Sequence, residues 1–139
     1  MEESMLPKMW LAHGGMGEES GKVHADLPGR WAEQEPVMVR VINELAWCAH
    51  RGKEALVAGD MATLSTEMNR NFDLRTELFG EAALGPNLEM VRLARSLGSC
   101  AKQPGSGGAI IGIIPDDEFM ERAAPAFSEQ GWDLVALEM

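Results

Sequence analysis

The stretch that decides the fold is CAKQPGSGGAIIGII, residues 100–114. A cluster of small residues in its middle separates two segments, 99–103 and 109–114, that each have the length of a strand. The β-branched isoleucines favour the second strand, and the glycines permit a tight connection between the two. The sequence therefore predicts two strands joined by a hairpin-like turn.

The turn has a second interpretation, as a cradle for an anion. Successive backbone N–H groups in a turn of small residues can converge on a phosphate, which approaches closely where no Cβ atoms intervene. The candidate phosphate or substrate loop consists of Lys102, Gly105, Ser106, Gly107 and Gly108. A turn whose glycines serve only its geometry explains the pattern about equally well.

Two common phosphate-binding motifs do not fit the sequence. The dinucleotide fingerprint requires Gly or Ala where Ile110 stands, and it leads into a helix rather than a strand. Residues 15–23 resemble a Walker loop, but Met16 occupies the place of its first glycine and Val23 that of its Ser or Thr. Neither a Rossmann loop nor a P-loop is therefore expected.

Three amphipathic helices are predicted upstream of the turn, because apolar residues recur there at three- and four-residue spacing. Proline at a first turn, Asp60 as a cap and a glycine after each helix set their limits. These limits are Pro36 and Gly59, Asp60 and Gly80, and Pro86 and Gly98. A fourth helix is predicted downstream, capped by Asp116 or Asp117 and ended by Gly131, with Pro125 expected to kink it or to remove one backbone hydrogen bond.

The predicted fold is α+β. A short apolar run, residues 9–12, precedes a polar, glycine-rich loop over 14–35, and alternation of Trp132, Leu134 and Leu137 predicts a final strand. The order strand, three helices, two strands, helix, strand indicates a mainly antiparallel sheet with helices on one face. Residues 1–35 form the first strand and the long loop, residues 36–139 form the helical layer and the sheet, and all belong to one domain.

Composition restricts the function. The 139 residues carry a formal net charge of −10 and only 12 Lys and Arg, which argues against a nucleic-acid partner. The sequence has no apolar run of membrane-spanning length, and residues 1–8 are unlike a signal peptide. Two distant cysteines fit a reducing compartment, so a cytoplasmic location without a membrane partner is expected.

Few other side chains are arranged for chemistry. Asn71 and Arg75 lie four residues apart and share a helix face that offers hydrogen bonds to a polyol or carboxylate, although the pattern favours a solvated face with ordinary charge pairs by roughly two to one. No paired spacing of His and Cys indicates a metal site. No nucleophile and base stand at a recognisable spacing, so a complete enzyme built on Asp73, His24 or Lys22 is the weakest hypothesis.

Several segments together resemble the GHMP small-molecule kinases. Residues 102–109 are similar to the third conserved motif of that superfamily, and further segments resemble the C-terminal half of the glucuronokinases, in the same order and at similar spacing. These segments are Ser20-Gly21-Lys22-Val23-His24, Arg30-Trp31, Met68-Asn69-Arg70-Asn71-Phe72-Asp73-Leu74-Arg75, Phe79-Gly80 and Asn87-Leu88-Glu89-Met90-Val91. The resemblance covers essentially residues 7–139.

The resemblance implies a ferredoxin-like sandwich, in agreement with the predicted order of elements. It implies that Gly105 to Gly108 lie beside the nucleotide phosphates or the phosphoryl acceptor, and it makes Lys22, His24, Asn71, Asp73 and Arg75 possible substrate-facing residues. The ATP-binding loop and the acidic catalytic residue of the superfamily belong to an N-terminal domain and have no counterpart here. ATP and Mg²⁺ are therefore expected only in a complete two-domain enzyme.

Two functions from different classes follow. The first is the C-terminal domain of a glucuronokinase-like sugar kinase, which binds a sugar or sugar acid and nucleotide once an N-terminal lobe completes it and is not catalytic alone. The alternative is a stand-alone ferredoxin-like binding or dimerisation domain, because the surface that the lobe would cover is apolar and such patches find partners.

Overall fold

The computed structural model describes residues 6–14, 27–104 and 108–137. Along these residues the elements follow the predicted order, except that two short helices are added and one predicted strand is absent. The elements are β1 (Met9–His13), α1 (Leu27–Ala32), α2 (Pro36–Ala58), α3 (Met61–Phe79), α4 (Glu81–Leu84), α5 (Pro86–Ser96), β2 (Ala109–Ile113), α6 (Phe119–Glu129) and β3 (Asp133–Ala136). No helix in the described segments is both long and apolar enough to cross a membrane.

Helices α2 and α3 form a hairpin whose limits are set by local signals. Pro36 occupies the first turn of α2, and Gly59 ends it in the left-handed conformation with φ 75°, which only glycine adopts without strain. The carboxylate of Asp60 then accepts a hydrogen bond from the backbone N–H of Thr63 at 3.1 Å and caps α3. The predicted boundary between the two helices is confirmed.

The sheet is antiparallel, and β1 lies in its centre. The strand order is β2-β1-β3, with Met9 opposite Ile113 and Trp10 opposite Ala136. The first strand of the chain therefore joins two strands from its last third. The predicted α+β class with a mainly antiparallel sheet is confirmed.

The core lies on the face of the sheet that carries Trp10. This side chain is fully buried, and its ring packs against Phe119 and Phe127 of α6 with centroids 6.0 and 5.9 Å away. Side chains from α3 and α5 join the same cluster. On the alternate positions, Ile113 of β2 belongs to a smaller cluster with Met68 of α3. Both faces of the sheet thus make apolar contacts.

Three expectations need correction. The predicted strand over 99–103 is reduced to a single antiparallel bridge between Lys102 and Ile111. Part of the predicted loop over 14–35 is helix α1, which is held because the Arg30 guanidinium binds Glu35 and the carbonyl of Leu78. Asp116 accepts from the backbone N–H of Glu118 at 3.0 Å, but α6 begins only at Phe119.

Candidate functional site

The glycine-rich turn is anchored to the sheet on both sides. Before the turn, the N–H and carbonyl of Lys102 exchange hydrogen bonds with Ile111 at 2.9 and 2.8 Å. After the turn, the carbonyl of Gly108 accepts from the N–H of Gly14 at 3.4 Å. Gly105, Ser106 and Gly107 lie outside the described residues, so their role as a phosphate loop stays a prediction.

The other predicted site residues do not lie together in the structure. Lys22 and His24 lie outside the described residues. On α3, Asp73 accepts a hydrogen bond from Arg95 at 2.9 Å and is occupied by that ion pair. Asn71, by contrast, lines a cavity that Lys102 also lines, so the structure separates Asp73 from its neighbours in the sequence.

This cavity, which we call the hairpin cavity, lies between α2 and α3 and has a volume of about 350 Å³. Its volume is in the range typical of small-molecule pockets. Its walls are mostly apolar, with the polar groups of Asn71 and Lys102 among them. The lining residues are Cys48, Ala49, Gly52, Lys53, Leu56, Leu64, Glu67, Met68, Asn71 and Lys102.

Lys102, which lines this cavity, lies near enough to Arg75 to feel its charge. Burial lowers the pKa of Lys102, and the nearby charge of Arg75 lowers it further. Burial also lowers the pKa of Arg75. Burial is the largest cause of both pKa shifts, because removal from water disfavours the charged form.

The amide of Asn71 contributes an unsatisfied acceptor. Its Oδ1 atom is buried and receives no hydrogen bond. A buried acceptor without a donor costs about 1–3 kcal/mol. Such atoms are uncommon in folded proteins.

The carboxylate of Glu67, which also lines the cavity, is paired within the protein. The carboxylate of Glu67 accepts from Arg51 Nε at 2.8 Å and from the Cys48 thiol at 3.0 Å. Burial and the bond to Glu67 raise the pKa of Cys48 to about 11. The thiol is therefore neutral at physiological pH, and Glu67 keeps its charge beside Arg51.

Sequence reasoning missed the residue that organises the middle of α3. The amide oxygen of Asn69 accepts from Arg95 Nε and from the backbone N–H of Ala101, both at 3.0 Å. Arg95 also donates to the carbonyl of Asn69 at 3.0 Å and lies over the ring of Phe72. Asn69 thus ties α3 to α5 and to the segment that leads to Lys102. Its sequence signal was its place in the segment 68–75, which resembles the glucuronokinases.

A larger groove, of about 1030 Å³, lies at the end of β2 away from the glycine turn, where Ile113, Pro115 and Leu6 contribute to its walls. Arg95 also lines it, but its guanidinium is engaged by Asn69 and Asp73. In the described parts of the chain, no group of three or more His, Cys, Asp and Glu side chains is arranged to hold a metal ion.

Comparison with known proteins points to one superfamily. No family model matches the sequence. The chain is 39% identical over 117 residues to probable glucuronokinase 2 of Arabidopsis thaliana and 37% identical over 117 residues to glucuronokinase 1 of the same plant. Each match covers 84% of this chain and 32% of the relative. The chain thus spans about a third of the length of these curated relatives.

A comparison of the fold with solved structures also finds a small-molecule kinase. A crystal structure of L. major mevalonate kinase in complex with R-mevalonate matches with a TM-score of 0.73 at 22% identity, over 90% of this chain and 39% of that one. The chain therefore shares its fold with part of that mevalonate kinase. In sequence it resembles the glucuronokinases, as its motifs predict.

Proposed function

We propose that the chain is the C-terminal domain of a glucuronokinase-like sugar kinase, which transfers phosphate from ATP to a sugar or sugar acid. The observation that carries this proposal is the 39% identity to a glucuronokinase over 84% of the chain. The ferredoxin-like form of the domain and its action in the cytoplasm belong to the same proposal.

The chain's own part in the reaction is to position the phosphates. Phosphoryl transfer depends on placement of the reacting groups and on stabilisation of charge by metal ions and basic groups. The bridge of Lys102 to Ile111 and the bond of Gly14 to Gly108 fix both ends of the glycine turn, which supports its role as an anion cradle. ATP and Mg²⁺ bind only in the complete two-domain enzyme, and this chain alone is not catalytic.

The test is reconstitution. The chain is assayed with ATP, Mg²⁺ and D-glucuronate, alone and after co-expression with the part of Arabidopsis thaliana glucuronokinase 1 that lies outside the matched region. We expect phosphorylated glucuronate, measured by ³¹P NMR, only when both parts are present. The Gly108→Asp variant should abolish the transfer, because it puts a carboxylate where phosphate is expected, and the exposed Ala124→Asp variant on α6 should not.

Two results would contradict the proposal. Turnover by the chain alone at about 1 per second, an ordinary kinase rate, would show that it needs no second lobe. Absence of transfer from two parts that co-purify as a folded complex would remove the kinase assignment itself.

A further inference from the structure

We infer that the outer edge of β3 pairs with β3 of a second copy of the chain, so that two three-stranded sheets join into one of six strands. The partner is another copy because the free hydrogen-bonding groups of this edge match their own arrangement across a two-fold axis. The inference concerns association alone and does not rest on the proposed kinase activity.

Strand β3 is the open edge of the sheet. The order β2-β1-β3 places β2 and β3 at the two edges, and the outer side of β2 carries the bridge between Ile111 and Lys102. Strand β3 pairs with β1 and with no other described strand, and Val135 in its middle is 47% exposed. An edge strand with unpaired N–H and C=O groups is a template for pairing with another chain.

The ladder between β1 and β3 shows which groups are free. The N–H of Leu137 donates to the carbonyl of Met9 at 2.8 Å, so these residues, which follow the register of the two strands, are a hydrogen-bonded pair. Such pairs alternate with non-hydrogen-bonded pairs along antiparallel strands. Every second residue back from Leu137 therefore bonds to β1, whereas the backbone groups of Leu134 and Ala136 point outward. No described residue bonds to them.

A second copy satisfies these groups in a defined register. When Leu134 lies opposite Ala136 of the second copy, the two residues exchange two backbone hydrogen bonds, and the symmetric pair adds two more. Val135 then faces Val135 of the second copy at the closely spaced position between them, where β-branched side chains pack well. A shift toward the start of β3 would need the N–H of Trp132, which is already bound to the carbonyl of Phe127.

The same register keeps like charges apart. Asp133 is the charged residue of β3, and the pairing places it opposite Leu137 of the second copy. The two Asp133 carboxylates are then separated by four residues, about 13 Å along the strands. This separation exceeds the distance of about 8 Å over which charges act at physiological salt.

The interface is short, so the dimer is weak. Four strand residues from each copy bury less surface than a standard protein interface, which corresponds to a transient complex with a Kd on the order of 100 μM. Sedimentation equilibrium of the full chain, below and above this concentration, should show the mass double. The measurement is made in about 0.15 M salt, which limits the repulsion between two chains of net charge −10.

Hydrogen exchange locates the contact. At concentrations well above the Kd, the amides of Leu134 and Ala136 should exchange about fivefold more slowly than in the dilute chain, because each gains a hydrogen bond. The amide of Val135 already bonds to β1 and should change much less, so it is an internal control on the same strand.

A proline separates pairing at the edge from the fold. Ala136→Pro removes an N–H that points outward and leaves the ladder to β1 intact, since proline is tolerated on the free side of an edge strand. The variant should be folded by circular dichroism and monomeric at all concentrations. The matched variant Ala136→Ser keeps the N–H and should dimerise with a Kd within about threefold of the wild type.

A charge exchange tests the register itself. Val135→Lys and Val135→Glu should each be monomeric, because like charges would lie directly opposite each other. An equimolar mixture of the two variants should form a heterodimer, since opposite charges then meet at the central pair. A contact elsewhere on the surface would not restore association in the mixture alone.

Three results would overturn the inference. The first is a monomeric wild-type mass at all concentrations, and the second is an Ala136→Pro variant that dimerises like the wild type. The third is protection of Leu134 and Ala136 by a co-expressed kinase lobe and not by concentration, because the lobe would then cover the edge. Phosphoryl transfer enters none of these measurements, so the kinase assignment stands or falls separately.

Discussion

The surroundings of Trp10 and the surroundings of Asn71 follow different rules of packing. Trp10 is fully buried, and its Nε1–H donates to Ser99 Oγ at 2.9 Å, which in turn donates to the carbonyl of Ile113 or of Cys100. Asn71 lies beside a cavity with a buried acceptor that has no donor. A fully satisfied, close-packed region stabilises a fold, whereas exceptions to these rules concentrate where a protein meets its ligand.

The largest expected effect tests the close packing around Trp10. A Cβ atom at Gly112 would lie 2.2 Å from the carbonyl oxygen of Cys100 and 2.5 Å from Cζ2 of Trp10. Neither neighbour can move without disturbing the core, so Gly112→Ala should lower the free energy of unfolding by about 3 kcal/mol or more. Urea unfolding followed by circular dichroism measures the change.

The matched glycine lies in the other region. A Cβ atom at Gly52 in α2 would meet only Leu64 Cδ1, at 3.7 Å. Gly52→Ala should therefore stabilise the chain by about 0.5–1 kcal/mol through helix propensity. Equal destabilisation by the two substitutions would show that the α2–α3 hairpin is packed as tightly as the core. This result would contradict the difference in packing between the two regions.

The second prediction uses two asparagines on one helix. Asn69→Leu removes the acceptor for the Ala101 N–H and for Arg95, and it should cost about 2 kcal/mol because buried donors lose their partner. Asn71→Leu removes an acceptor that has no donor, and it should be neutral or stabilising by up to about 1 kcal/mol. Thermal unfolding of both variants decides the matter, and a large loss from Asn71→Leu would indicate that Oδ1 is satisfied after all.

The smallest expected effect is a pH dependence. Burial and the hydrogen bond to Glu67 raise the pKa of Cys48 from an ordinary 9.0 to about 11. The folded chain thus keeps a proton that the unfolded chain loses, so the stabilisation is complete below the unfolded pKa and is lost as the pH rises toward the folded one. Each pH unit between those limits should cost the wild type up to about 1.4 kcal/mol more than it costs Cys48→Ala. Parallel urea titrations of the two proteins at several pH values measure the difference, and parallel curves would contradict it.

Local signals predicted the helices well. Pro36, Gly59 and Asp60 act within one turn of chain, and the structure keeps each of them at its predicted place. Helix α1 was missed because Pro28 and Gly29 favour a turn when considered alone. The contact that holds it, from Arg30 to the carbonyl of Leu78, joins residues far apart in the sequence.

The sequence predicted only part of the candidate site. The four-residue spacing predicted that Asn71 and Arg75 share a face, and the structure relates both to Lys102, one through the cavity and the other through its charge. The sequence assigned Lys102 to the glycine turn alone. Its place in the wall of the hairpin cavity depends on how α2 and α3 pack, which no spacing within one element reveals.

The central position of β1 affects the order of events when the chain is made. The hairpin of α2 and α3 needs only neighbouring residues and can form as soon as it leaves the ribosome. Strand β1 emerges before it, yet both of its partners, β2 and β3, come from the last third of the chain. Trp10 therefore stays without the strands that pair with its own until residues 109–136 have been made. During this time it is open to chaperones, and to the corresponding strands of chains that have been released.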